Sequence, residues 1–286
     1  MSRPRSIPKL KALAPVLGLA LGMALSPGAT LGPGAVTVGA LAAQGAQGTA
    51  ASAERDFLFT RPHFSLTARM GAFLPRAESQ FHDFVFDLFT VERGDLRSFT
   101  GGLEAGIWLT DRTEALISLD GAAVTQPSTY YEDDWMEETA DGLVPIHQTT
   151  RIVQGPTLSA GARFFPLGRG ENLSRFVWAP HRVAPFVSGG VGGTGYRLEQ
   201  WGDWVAEPAD PEADEAEIFT ADYYSDGAGF LTFLGAGVDF QLRPRLAFTV
   251  EGRYFWGQAQ LSDDFRNFMP LDLSGLRLTG GLSFRY

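Results

Sequence analysis

The stretch that most restricts what this chain can fold into is 273–286, LSGLRLTGGLSFRY. Leu276, Leu278, Gly280, Leu282, Phe284 and Tyr286 share one parity, while Gly275, Arg277, Thr279, Gly281, Ser283 and Arg285 share the other. A period of two defines a strand with one apolar and one polar side. A soluble sheet satisfies that pattern, and so does a sheet whose apolar side meets lipid. The stretch ends on its apolar-face aromatic, which favours the second.

Seven earlier segments repeat the alternation, at 62–74, 98–110, 113–124, 148–165, 184–200, 228–242 and 246–260. In 98–110, for example, Leu103, Ala105, Ile107 and Leu109 oppose Gly102, Glu104, Gly106 and Trp108. Leu116 breaks the pattern in the third segment, and the glycine-rich fifth assigns its faces only loosely. The polar faces collect Arg69, Glu104, Arg151, Arg163, Asp239, Glu251, Arg253 and Arg277. Connections alternate in length. Loops 75–97, 125–147, 201–227 and 261–272 are long, and turns 110–113 and 243–245 are short. The third turn, 166–183, is long and carries Pro166, Pro180 and His181, leaving room for an extra strand pair or a small helix.

Eight amphipathic segments, alternating loop lengths and a terminal aromatic resemble the small bacterial outer-membrane β-barrels, the class that includes the barrel domain of outer-membrane protein A. The resemblance covers 62–286 and rests on architecture. It implies an all-β fold, an eight-stranded antiparallel transmembrane up-and-down β-barrel located in the cell outer membrane. It also implies that Phe284 and Tyr286 form the assembly signal read by the barrel-assembly machinery, with outer-membrane lipid and lipopolysaccharide as surroundings. The segments are long enough for a tilted crossing, which takes about 9 to 11 residues, and an even count lets both ends return to the periplasm. An eight-stranded barrel is just wide enough for side chains to fill it. The eight charged residues are therefore expected to pair across the lumen, either as a structural plug or as the gate of a narrow channel for ions or small solutes.

Residues 1–43 read as a signal peptide: Arg3, Arg5, Lys9 and Lys11, then the apolar run Ala12 to Leu25, then Ala40-Leu41-Ala42 as a cleavage site. Residues 44–61 read as a disordered periplasmic lead-in to the barrel domain at 62–286. The whole chain carries a formal charge of -10, and removing those four basic residues gives -10 - 4 = -14 with no lysine left. Nucleic-acid binding, which needs a basic face, is excluded by that balance. Cys 0 removes disulfides, iron–sulfur sites and thiol chemistry. No cofactor or defined metal site is expected.

Gly190 to Gly195, GVGGTG, matches a dinucleotide fingerprint by letters, but YRLEQWGDW follows where a helix should grow. Glycines that let a barrel strand bend account for it better. Acids crowd two external loops, from Glu132 to Asp141 and from Glu207 to Glu217, a solvated face with divalent cations as partners in reserve. Tyr130, Tyr131, Trp135, Trp201, Trp204, Tyr223 and Tyr224 are interleaved with them, suited to adhesion or to the headgroup level. FHDFVFDLF, 81–89, suits a short amphipathic helix on the rim, a strand extension or a partner contact. His82 and His147 lie outside without an assigned nucleophile, so a rim-located lipid-modifying enzyme or protease ranks last. The expected role is structural or interactive at the cell surface.

Overall fold

The computed structural model describes residues 57–130, 136–139, 142–206 and 217–286; the expected signal peptide, Tyr131, Trp135 and most of the two acidic stretches lie outside them. Eight strands form the wall: β1 (Phe64–Pro75), β2 (Ser98–Trp108), β3 (Thr113–Thr129), β4 (His147–Phe164), β5 (Val183–Ala206), β6 (Glu217–Arg243), β7 (Leu246–Ala259) and β8 (Gly275–Arg285). Each pairs antiparallel with its sequence neighbour, and β8 pairs with β1 from Pro75↔Gly275 to Ser65↔Arg285, which closes the ring. Closure leaves no unpaired edge in the membrane-spanning part, the condition for a sheet to cross hydrocarbon.

The alternation read from the sequence sorts the two surfaces. Leu66, Met70, Leu103, Ile107, Ile117, Leu119, Leu158, Val191, Leu234, Val250, Leu278 and Leu282 are exposed on the outside, while their strand neighbours point into the lumen. An apolar belt of this extent, continuous around a closed ring, fits lipid and not water. The chain is a transmembrane β-barrel by these features.

The wall is uneven in height. β1, β2, β7 and β8 have 12, 11, 14 and 11 residues, whereas β5 and β6 have 24 and 27. About 9 to 11 residues suffice to cross a bilayer, so more than half of β6 stands clear of it. The expected loop 201–227 is thus mostly strand, running without interruption through the glycine-rich 189–195 to Ala206 and resuming at Glu217. Gly190 and Gly192 are required by packing: a Cβ on Gly190 would lie 2.2 Å from the Ala160 carbonyl oxygen and 2.8 Å from the Phe233 ring, and one on Gly192 would lie 2.5 Å from the Leu158 carbonyl oxygen.

The segments joining the short strands fold inward across this taller wall. In the β1–β2 connection, α1 (Gln80–Leu88) forms because Phe81, Phe84, Val85 and Leu88 recur at helical spacing, with Ser79 in extended backbone at its N-terminus. A rim position was expected for it. Instead Phe81, Val85 and the adjoining Phe89 are almost wholly buried, because the high β3–β6 wall and the 261–273 segment offer apolar partners that water does not. Phe81 meets Phe265 edge-on at 5.4 Å, and Phe89 meets Tyr130 at 5.0 Å and Trp204 at 6.0 Å. Tyr130, Trp204 and Tyr223, expected to face adhesion partners or headgroups, lie within this mouth cluster or packed against it, while Trp201 and Tyr224 remain exposed.

At the short-turn end, 166–183 contains a strand pair, Gly170–Ser174 with Val177–Pro180, and Leu58 bridges to Trp178. Trp178 is buried against Trp108, with ring centroids 5.8 Å apart, so this hairpin floors the barrel. Turns 109–112 and 244–245 are as short as the sequence implies.

Candidate functional site

Inside the belt the lumen holds a continuous array of ion pairs. Glu104 on β2 is its hub. One of its oxygens accepts from Arg163 Nη2 at 2.7 Å, the other from Arg69 Nη1 at 2.9 Å, and Arg253 Nη2 also donates to it. Glu251 accepts from Arg253 Nε at 2.7 Å, from Arg163 at 3.2 Å and from the Ser188 hydroxyl at 2.7 Å. Arg69 grips Asp120 through two parallel bonds of 2.9 and 2.7 Å, the fork geometry that guanidinium and carboxylate share. Toward the short-turn end, Arg163 and Arg169 reach Glu114 at 3.3 and 3.5 Å. Asp239 pairs with Arg285 and accepts from Thr249 at 2.7 Å. All these groups are buried.

Aromatic rings fill the gaps between the charges. Arg163 lies 4.2 Å over Phe186, Arg253 4.9 Å over Phe233, Arg277 4.5 Å over Phe255 and Arg169 3.7 Å over Trp108. A guanidinium keeps its charge in such a site because the ring face and the carboxylate edge together replace its hydration.

Of the eight residues expected to pair in the lumen, Arg69, Glu104, Arg163, Asp239, Glu251, Arg253 and Arg277 point inward. Arg277 touches the array least closely, 4.0 Å from Asp120, and donates to Thr157 at 3.4 Å. Arg151 does not belong to the lumen. It is half-exposed and pairs with Glu199 at 3.2 Å, while Ile152, expected outside, turns inward. The cause is a one-residue bulge in β4: Gln154 pairs with Tyr196 but Thr157 pairs with Thr194, so the strand changes parity between them. Gly155 supplies the positive φ of 145°, and Pro156 has no N–H for the ladder. A glycine–proline step in an otherwise alternating strand was the available signal.

Four further members lie outside the expected eight. Glu114, Asp120 and Arg285 share the inward parity of their strands and were recoverable from alternation. Arg169 comes from the long turn, where no periodicity leads to it. Together six arginines face five carboxylates here, and Arg169 Nε and Nη2 and Arg277 Nε have no protein acceptor among the described residues.

Above the array, a cavity of about 30 Å³ lies under α1, lined by Phe73, His82, Ile152, Gln154 and Leu273 among others. That is space for roughly two waters. His82 accepts or donates through Nδ1 to the Ser79 hydroxyl at 2.7 Å. A hydroxyl beside an imidazole resembles the start of a nucleophilic pair. Burial pushes the His82 imidazole down to about 4, which makes it a weak base, and both oxygens of nearby Asp272 accept backbone N–H groups, from Glu78 and Ser274. The pair fastens the first turn of α1. His147 is exposed, and among the described residues no group of carboxylates and histidines forms a metal site.

No family model matches the chain, and no curated protein does. Among solved structures it is similar to the N-terminal β-barrel domain of Pseudomonas aeruginosa OprF, at 11% identity over 79% of this chain and 100% of that one, TM-score 0.33. It is also similar to Ail, the attachment invasion locus protein of Yersinia pestis, solved with a heparin analogue (12%, 78% and 99%, TM-score 0.35). A third is a major outer membrane protein from Thermus thermophilus (15%, 78% and 98%, TM-score 0.35). The class of this chain, a small eight-stranded transmembrane barrel, rests on its own closed ring, apolar belt and filled lumen.

Proposed function

We propose that the protein is an outer-membrane barrel with a structural or surface-interaction role, closed to solute flow. In this reading the tall long-loop end faces outward and the short-turn end faces the periplasm. The observation that carries it is the triple filling of the lumen: the mouth cluster under α1, the ion-pair array at mid-depth, and the Trp178 hairpin below. A conducting pore needs water-filled space, and the lumen offers side chains in contact. The surroundings of such a protein are outer-membrane lipid and lipopolysaccharide. Phe284 and Tyr286, both exposed on the belt, suit the assembly signal. The acidic stretches 132–141 and 207–217, read from the sequence, are candidates for divalent cations bridging to anionic neighbours.

Planar-bilayer recording tests the reading. The full chain is expected to stay silent, and a variant lacking 80–88 is expected to stay silent too, because the array beneath still blocks the lumen. Steady ohmic steps from the intact protein would establish the channel reading instead.

A further inference from the structure

Both charge signs occur along the chain, but they separate toward the two ends of the barrel. At the long-loop end acids outnumber arginines even among the described residues. The short-turn end is the reverse. Arg112 sits in the β2–β3 turn, Arg175 at the tip of the hairpin, Arg182 just before β5, Arg243 at the end of β6 and Arg245 in the β6–β7 turn. All five are exposed and make no ion pair with any described residue, whereas Arg61, on the segment leading into β1, is paired with Asp111 at 3.0 Å. Successive turns alternate around the closed ring, so these side chains encircle the end of the barrel.

Their depth identifies what they meet. Arg182 adjoins Val183 and Arg243 adjoins Leu242, both exposed members of the apolar belt. Arg245 lies 5.5 Å over the ring of Tyr286, itself on the belt. Beside them an open cleft of about 540 Å³ is lined by Phe59, Arg61, His63, Phe64, Arg245 and Tyr286, so that it joins exposed aromatic rings of the belt to the exposed Arg245 guanidinium. Guanidinium forks at the edge of a hydrocarbon belt match phosphodiester oxygens in geometry, charge and height.

We propose that this arginine ring is a binding surface for anionic phospholipid headgroups of the leaflet at the short-turn end, with the Arg245–Tyr286 cleft seating one lipid. The proposal rests on the transmembrane reading above. An anionic polymer in the aqueous phase would satisfy the charges, but it would leave the cleft's aromatic rings and the contact with the belt unused.

Native mass spectrometry of the full-length protein in neutral detergent, with equal amounts of phosphatidylglycerol and phosphatidylcholine, is the test. Several-fold more phosphatidylglycerol adduct is expected, falling to the phosphatidylcholine level in R112Q/R182Q/R243Q/R245Q. Substituting Arg76 and Arg93 at the other end should leave the preference intact. Heat-modifiable migration on gels is read first for every variant; if the quadruple variant does not fold, Arg245→Gln and Arg182→Gln are measured singly, each expected to lower the preference. Equal adducts from the wild type, a preference unmoved by the folded variants, or polyglutamate competing as well as lipid would overturn the proposal. A protein that is not heat-modifiable and does not partition with membranes would instead overturn the barrel reading beneath it.

Discussion

Glu104 and Arg151 are charged residues with the same apparent status in the sequence and opposite physical positions. Glu104 accepts from three guanidiniums in a site closed to water. Removing its charge takes one carboxylate from three buried guanidiniums, which keep only Asp120, Glu114 and Glu251, and breaking buried pairs in this way costs about 3–5 kcal/mol. Arg151 and Glu199 are both substantially exposed, and such a pair contributes about 0–1 kcal/mol. Glu104→Gln is therefore expected to lower the denaturant midpoint of the vesicle-folded barrel markedly, followed by tryptophan fluorescence, with Arg151→Gln near wild type. Similar midpoints would mean that the lumen array is hydrated and weak. Alternation made seven of the eight expected residues legible. It failed at Arg151 because parity is a property of an unbroken strand, and the bulge at Gly155 resets the count.

Helix α1 shows how local pattern and tertiary context divide the information. The spacing of Phe81, Val85 and Leu88 suffices to read a helix with one apolar face. What that face covers depends on wall height, which only the pairing of 217–229 with 194–206 creates, and the acid-rich residues there carry no strand periodicity. Burial of His82 in the cap has a consequence for pH. Its pKa in the closed cap is depressed, mainly by desolvation, to about 4, against an ordinary value near 6.5. The opened cap therefore takes up a proton first. Stability of the closed cap is full above about pH 6.5 and falls as the pH drops toward 4, by about 3 kcal/mol in all, below which no further loss follows. Arg93 adds to the depression and Asp272 opposes it, both less than burial does. Hydrogen exchange at α1 amides, corrected for the intrinsic rate, should show protection lost between about pH 6.5 and 4 in the wild type and largely kept in His82→Gln. Parallel loss in both proteins would place the sensitivity elsewhere.

The barrel closes where the first and last strands meet, and that seam ends on the aromatic from which the fold was first legible. Tyr286 contributes more there than an outward ring. Its carbonyl oxygen accepts from the His63 and Phe64 N–H groups at 2.8 and 2.9 Å, and its own N–H donates to the Phe64 carbonyl at 2.9 Å. Pairing β1 with β8 joins residues more than two hundred positions apart in the middle of the seam, and such contacts are made late because the loop-closure entropy must be met before they form. Once the ring is shut, the filled lumen and the remaining ladder hold it, so the seam's last three bonds matter more for reaching the closed state than for keeping it. Omitting Tyr286 is expected to slow folding into lipid vesicles several-fold, read as the growth of the heat-modifiable band. The unfolding rate of the molecules that do close should change much less. If closure kept its wild-type rate while unfolding accelerated, the seam would be a late fastening and the assembly role of the terminal strand would have to lie in recognition by other proteins alone.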